Sequence, residues 1–438
     1  MSVAEAATSA APSVTTPAAP RSAPGSAPNP AGSADTAVPQ ERRSRRGLLL
    51  LILGALSAIG PLSIDMYLPA LPAITSEMLS APAQVQLTLT ACLIGVSVGQ
   101  VVAGPLSDVR GRRMPLMIGV AGFMAASLLC AFATSVPALI VFRLLQGVLG
   151  GAALVIVRAV VRDLYDGAAI ARIFATLMLV SGLAPILAPI AGAQLLAFTS
   201  WRGVFVALSL AGLVLLVAVL AGVRETLPAG QREAGGLRHT VRTFWQLLRD
   251  RTFMGFALTG GLAFGAMFGY ISGSPFVLQE VYGATPQQYS LIFGLNALAL
   301  TITAQVGGRL AGRVPPVLLV RIGLATSLAG AVTLLTAALA DLDLWGVVAG
   351  LFVIMLGQGL TLPGTGALAL GSQPAQVAGS ASALTGVLQF ALGAAAAPLV
   401  GLAGSGSALP MACVMLGLFL CSAVSFTILG RAKATKVR

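Results

Sequence analysis

Charge is what this sequence most lacks. Of its 438 residues only 9% are charged and 57% are hydrophobic, whereas a soluble domain carries roughly 25% charged residues. A chain with so little polar surface cannot face water all round, so a soluble globular protein is excluded and one that crosses a bilayer many times is expected. Histidine occurs once, at His239, and cysteine four times (Cys92, Cys130, Cys413, Cys421), each cysteine inside an apolar run. That leaves neither a disulfide framework nor a metal-ligand spacing, and the cysteines read as small hydrophobes. A phosphate-cradling glycine loop, a nucleophile elbow and a histidine pair are also missing. No residues are there to run ATP-driven transport or hydrolysis. The chain is therefore not read as an enzyme, no metal or cofactor is expected, and an ion gradient is left as the energy source.

Residues 1–46 are rich in Ala, Pro, Ser and Thr, have no aromatic residue, and end in Arg42, Arg43, Arg45 and Arg46. Such a segment buries too little apolar surface to offset its ordering entropy and reads as a disordered tail. Basic residues before a leucine run resemble a leader, but the apolar stretch continues past Gly60 toward Pro69, which reads as an uncleaved first span. Twelve apolar runs follow the tail, near 48–71, 84–106, 114–134, 137–160, 170–196, 203–223, 253–275, 288–310, 315–339, 343–366, 377–402 and 407–430. Irregular backbone cannot face lipid, so these are helices. Spans of about 22 residues leave about ten for each connection, too few for a second folded domain. The longest polar stretch, 224–251, is read as a linker between two six-helix bundles, 47–223 and 252–430, with 431–438 as a basic tail.

A net charge of +12 raises the question of nucleic acid. Its distribution answers it. On the twelve-span map every Lys and Arg except Arg143 and Arg202 falls in or beside one set of alternate connections and the two termini. This positive-inside asymmetry puts both termini in the cytoplasm and leaves no case for a nucleic-acid partner.

The two halves echo each other weakly. FRLLQG (142–147) in the fourth span matches IMLGQG (354–359) in the tenth, and GPLSDVRGRRMP (104–115) has a fainter echo in QVGGRLAGRVP (305–315). Such internal symmetry is expected of secondary transporters. Arg143 aligns with Met355, so the charge chemistry lies in the first half.

Asp65, in PLSIDMYLPALP (61–72), is the one carboxylate clearly inside a span. Intramembrane carboxylates usually face a cavity and carry protons; the alternative is a side chain snorkelling to the outer interface. Arg143, flanked by apolar residues, is read as a coupling partner near Asp65, or else as a structural arginine on backbone carbonyls. Gln146, Gly147, Gly150 and Gly151 follow it on roughly one face, where glycine admits a neighbouring helix. Gly104, Asp108, Gly111 and Arg112 in the loop between spans two and three read as a conformational latch. Asp163 is a candidate partner for Arg112, or a solvated helix-end carboxylate. Gly182, Pro185, Pro189 and Gly192 in span five allow bending and close packing. Gln100, Gln146, Asn296, Gln358 and Gln389 either line a cavity or bond a neighbouring helix. Tyr67 is placed with them, and Phe264, Phe268 and Tyr270 are candidates for an aromatic wall.

At these residues the chain resembles the major facilitator superfamily, through GPLSDVRGRR, FRLLQGVLGGA and SGLAPILAPIAG; in the last, Ala184 stands where a glycine is usual. IDMYLPALP, RAVVRDLY, SPFVLQEVYG and AGSASAL extend the likeness to its Bcr/CflA subfamily of bicyclomycin and chloramphenicol exporters, over residues 47–430. The resemblance implies an all-α fold of twelve transmembrane helices in the bacterial inner membrane, working as a monomer. It also implies efflux of small amphipathic drugs by exchange with protons, with Asp65 and Arg143 in coupling and Asp108, Gly111 and Arg112 at a cytoplasmic gate. A proton-coupled exporter of one metabolite, an amino acid or small peptide, is the competing reading.

Overall fold

The computed structural model describes residues 38–165, 168–228, 230, 237–374, 377–402, 404 and 406–429. Of the tail expected at 1–46, residues 1–37 lie outside them and 38–46 are helical, where a disordered segment was expected; the tail expected at 431–438 also lies outside them. Two units are distinguished: Met1–Arg45, of which 38–45 are described and helical, and Arg46–Arg438. In chain order the helices are α1 (Val38–Asp65), α2 (Leu71–Glu77), α3 (Pro82–Arg110), α4 (Arg113–Ala131), α5 (Val136–Leu164), α6 (Ala168–Leu196) and α7 (Trp201–Gly222). They continue with α8 (Leu237–Arg249), α9 (Arg251–Phe276), α10 (Pro286–Leu310), α11 (Pro316–Leu339), α12 (Leu344–Gly371), α13 (Ala378–Leu402) and α14 (Leu409–Ile428). Among the described residues twelve segments are long and apolar enough to cross a membrane. The first is Gly47–Glu77, spanning most of α1 with α2; spans two to six are α3 to α7, and spans seven to twelve are α9 to α14.

The helix starts follow local chemistry. Ser135 accepts from the Ala138 N–H at the head of α5, and Asp250 accepts from the Thr252 and Phe253 N–H groups at the head of α9. Thr285 and Gln288 form a reciprocal capping box before α10. Each supplies an acceptor to a helix N–H that has no partner within the helix.

Two features differ from the expected map. The first apolar run is not one helix: α1 stops at Asp65, a tight turn covers Leu68–Ala70, and α2 follows. Pro69 lacks the N–H that would bond back to the Asp65 carbonyl, so the helix breaks beside the intramembrane carboxylate, and Pro72 sits in the first turn of α2, where a missing N–H costs nothing. The polar linker also contains a helix, α8, whose sequence LRHTVRTFWQLLR spaces Val241, Phe244, Leu247 and Leu248 at helical intervals.

Packing is close where glycines face backbone. A Cβ added at Gly147 of α5 would run into the Cys92 carbonyl of α3, and one at Gly99 of α3 into the Val148 carbonyl of α5. Spans one to six pack among themselves, chiefly α3 on α5 and α4 on α5 and α7; spans seven to twelve do so through α11 on α12 and α9 on α13 and α14. The two sets meet along α3 with α13 and α6 with α10.

Six hydrogen bonds found among the described residues cross this seam. Gln86 donates to the Ser272 carbonyl (3.1 Å), Thr90 to Ala394 (2.9 Å), Gln279 to Pro69 (3.3 Å) and Gln287 to Ala193 (3.3 Å). Ser290 donates to Pro189 (2.9 Å) and Thr301 to Gly182 (3.5 Å). Five of them lie in the half of the spans remote from the arginine-rich loops, and the Thr301–Gly182 bond lies near mid-span.

Candidate functional site

A cavity of about 300 Å³ lies between the two sets of spans, at the lower edge of the size that holds a drug-like ligand. Its wall on one side comes from α1, α3, α5 and α6, including Gly60, Asp65, Ser181, Gly182 and Pro185. On the other side α9, α10, α12 and α13 supply Phe264, Phe268, Tyr270, Phe293 and Phe390. Phe264 tilts against Phe268 at 5.0 Å between centroids and meets Phe390 edge-on at 5.5 Å, while Tyr270 stacks on Phe293 at 5.4 Å. The wall is therefore built of rings that brace one another. Among the described residues Asp65 is the sole charged side chain in the lining. It is 5% exposed, sits at the last residue of α1 where Pro69 breaks the helix, and makes no hydrogen bond or ion pair among the described residues.

Arg143 is fully buried but does not touch Asp65. One of its terminal nitrogens, Nη1, donates to the Ser63 carbonyl at 2.8 Å and to Gln146 Oε1 at 2.5 Å. Gln146 donates onward to the Ser127 hydroxyl at 2.7 Å. The guanidinium lies over the Tyr67 ring, 4.4 Å from its centroid, with Phe205 at 5.7 Å. A buried cation is thus held by a carbonyl, an amide and two aromatic faces rather than by a carboxylate. Its tie to Ser63 fixes α1 two residues before Asp65, so the link between Arg143 and the cavity carboxylate runs through backbone.

A second cluster closes the turn between α3 and α4. Gly111 has φ +87, a conformation open to glycine and strained for other residues. It turns the chain so that Arg112 folds back over the end of α3. Arg112 is 6% exposed and donates to Asp108 (2.5 Å), the Ser107 hydroxyl (2.7 Å) and Asp163 at the end of α5 (2.9 Å). Burial disfavours its charge, but the hydrogen bonds it donates to Asp163 and Asp108 outweigh that and hold the guanidinium above its ordinary pKa. Glu225, just beyond α7, accepts from the Arg112 N–H (2.7 Å) and the Arg113 N–H (3.2 Å), and Thr226 donates to Asp163 (3.0 Å). Burial raises the Glu225 pKa, yet four backbone donors, from Arg112, Leu227, Arg113 and Thr226, bring its carboxyl below the usual range. The cluster joins α3, α4, α5 and the chain leaving α7, and these bonds stay on the side of spans one to six.

The remaining candidates fall into distinct places. Phe264, Phe268 and Tyr270 line the cavity, as do Gly182 and Pro185. Gln146, Asn296, Gln358 and Tyr67 are fully buried and absent from the lining. Asn296 donates to the Tyr270 hydroxyl (3.0 Å) behind the wall, Gln358 to the Ala263 carbonyl (2.5 Å), and the Tyr67 hydroxyl meets Thr88 at 2.7 Å. Gln100 and Gln389 are partly exposed and also outside the lining. Pro189 takes the Ser290 hydrogen bond, and Gly192 lies so close to the Met66 carbonyl that a Cβ would collide. Gly104 has ordinary space, with Val155 Cγ2 at 3.8 Å from a built Cβ. Glu225 and Thr226 were not among the candidates, because their partners lie on other helices and no local spacing marks them. Phe293 and Phe390 were also missed, because which face of a span looks inward is set by packing.

Residues 50–398 match the Major Facilitator Superfamily. The "Uncharacterized MFS-type transporter YdgK" of Bacillus subtilis (strain 168) is 40% identical over 84% of this chain and 91% of its own length. The "Bicyclomycin resistance protein homolog" of Haemophilus influenzae is 30% identical over 84% of this chain and 94% of its own. In three dimensions the chain is similar to a bacterial homolog of the human lysosomal transporter Spinster in an inward-facing, unoccupied conformation. That likeness has a TM-score of 0.71 and 14% identity, over 88% of this chain and 97% of that one. The chain belongs to the Major Facilitator Superfamily, and is a membrane transporter rather than an enzyme.

Proposed function

We propose that this transporter exports small amphipathic compounds, of the kind handled by bicyclomycin and chloramphenicol exporters of the Bcr/CflA subfamily, in exchange for protons. The observation that carries the proposal is the cavity: an apolar, ring-lined chamber whose sole charged side chain among the described residues is Asp65. A flat lipophilic molecule finds dispersion contacts there, and the carboxylate offers one site where substrate and proton compete. The relative named for bicyclomycin resistance supports the same reading.

In this reading the basic loops face the cytoplasm with both termini, and the protein works as a monomer in a bacterial inner membrane. The two six-helix sets, 47–223 and 252–430, rock about the cavity, and the cluster of Gly104, Asp108, Gly111, Arg112 and Asp163 serves as the cytoplasmic gate. Drug enters from inside and displaces the proton on Asp65; the protein reorients, the drug leaves, and a proton reloads the carboxyl. Arg143 acts on Asp65 through its grip on the Ser63 carbonyl. A potential of 100 mV supplies about 2.3 kcal/mol for each net charge moved, enough for about 50-fold accumulation of a neutral substrate exchanged for one proton.

The test is drug uptake into inverted membrane vesicles energised by respiration, using chloramphenicol and a lipophilic cation. Wild-type protein should accumulate drug and lose it on addition of a protonophore. Asp65→Asn should still bind drug but lose the roughly 50-fold accumulation. Full gradient-driven accumulation by the variant would overturn the assignment of Asp65, and no uptake of any drug by folded wild-type protein would transfer the case to a metabolite exporter.

A further inference from the structure

The helix α8 has an outward face with no role in the cavity or the loop cluster. Its inward face is fixed: Thr243 and Leu247 are 4% and 3% exposed, and Leu247 and Phe244 pack into a small core with Phe253, Phe256 and Leu384. Its outward face carries Trp245, 60% exposed, and Leu248, 40% exposed, beside exposed Arg242 and Arg249. On a helical projection Leu248 and Trp245 form one sector and Arg249 and Arg242 the next, so the apolar and basic strips run side by side along the outward surface. The thirteen residues of α8 include three arginines and no acid.

Position decides what this face meets. α8 ends at Arg249 and α9, the seventh span, begins at Arg251; only Asp250 separates them. The Asp250 carboxylate accepts from Thr252, Phe253 and Gln373. A helix joined by one residue to the start of a membrane span, and packed against that span, lies at the bilayer boundary. Tryptophan is suited to that depth, and arginine forks match phosphate.

We propose that α8 is an interfacial anchor for anionic phospholipid headgroups: Arg242 and Arg249 bind the phosphates while Trp245 and Leu248 enter the acyl boundary. The surface complements a negatively charged leaflet in sign and in depth, and each arginine near such a surface changes the binding equilibrium roughly five-fold. α8 follows the loop cluster in the chain and packs against α9 and α13, so lipid composition acts on the linker that joins the two sets of spans.

The experiment is hydrogen–deuterium exchange of residues 237–249 in the full-length protein. It is reconstituted in nanodiscs of phosphatidylcholine alone, or of phosphatidylcholine mixed with phosphatidylglycerol. Phosphatidylglycerol should slow exchange in this segment by at least five-fold. Arg242→Gln with Arg249→Gln should return it to the phosphatidylcholine value. High salt should do the same for the wild-type protein, which keeps the test independent of how the double variant folds. Equal exchange in the two lipids would overturn the proposal. So would slowing that survives both salt and substitution, or protection that tracks protein concentration, which would assign the face to a second copy of the chain.

Discussion

Glu225 accepts from the Arg112 and Arg113 amides at the head of α4, one on each carboxylate oxygen, at 2.7 and 3.2 Å. The same carboxylate accepts from the Thr226 and Leu227 amides, so the chain leaving α7 is tied to the head of α4. An anion at a helix N-terminus contributes about 0.3–1 kcal/mol. Because the folded carboxyl has a lowered pKa, this contribution is full above the ordinary glutamate value of about 4.3 and is lost as pH falls below it. Glu225→Gln should therefore lower the thermal midpoint in detergent at neutral pH, and the gap to wild type should close as the pH is taken below about 4. A gap that stays constant or widens on acidification would show that the carboxylate's charge is not what holds the turn. Arg112 is the complementary case at this scale. Its sequence neighbours Asp108 and Gly111 announced a tight, charged turn, and Asp163 was visible as a possible partner. The backbone cap from Glu225 was not, because it depends on where α7 ends relative to α4 rather than on spacing within one motif.

The glycines divide at the scale of the element. Gly147 and Gly151 of α5 press against the Cys92 and Val96 backbone of α3, and Gly95 and Gly99 of α3 press back on Leu144 and Val148. Neither backbone can yield, so Gly147→Ala should cost about 1–3 kcal/mol as overpacking, read as a lowered thermal midpoint. Gly104→Ala should do no such harm, since the nearest atom is a methyl at 3.8 Å, and removing backbone freedom from the unfolded chain stabilises by about 0.4–1 kcal/mol. If the two substitutions cost the same, contact distance is not what selects glycine here. The run of glycines after Arg143 marked a close helix approach in the sequence itself; that the partner is α3 did not follow from it. The same limit explains the polar residues of the spans. Gln146, Asn296 and Gln358 stood out as polar groups in apolar runs, yet each is spent on a neighbour inside the protein. Hydropathy locates a span and its ends, and the direction a side chain takes is settled by which helices meet. For the same reason α8 was hidden: thirteen residues with three arginines lower the mean hydropathy although the apolar positions keep helical spacing.

In the whole molecule the seam is fastened at one end. The six hydrogen bonds across it lie from mid-span to the end away from the arginine-rich loops, whereas the Arg112 cluster bonds within its own set of spans. This is the arrangement of a transporter closed on one side and free to part on the other. Reversal requires the fastened end to open, so its tightest contact sets part of the balance. Gly401 of α13 is that kind of contact: a Cβ there would collide with Gln86 Oε1 and stand 2.7 Å from the Ala83 Cα of α3. The Ala83 backbone cannot move aside without shifting α3, so Gly401→Ala strains the closed seam and leaves the parted one untouched. An overpacking cost of about 1–3 kcal/mol corresponds to a shift of roughly 5- to 150-fold toward the parted form. The measurement is alkylation of Met267→Cys, a cavity position, in a background whose four native cysteines are replaced by alanine, using a membrane-impermeant maleimide on intact cells. Gly401→Ala should speed labelling by that factor, and Gly386→Ala, on the same helix with nothing within 4 Å of a built Cβ, should leave it unchanged. Equal labelling in the three proteins would mean that the α3–α13 contact does not hold the seam. Slower labelling with Gly401→Ala would mean that the closed end tolerates the methyl group and gains from it, which would move the fastening to α6 and α10.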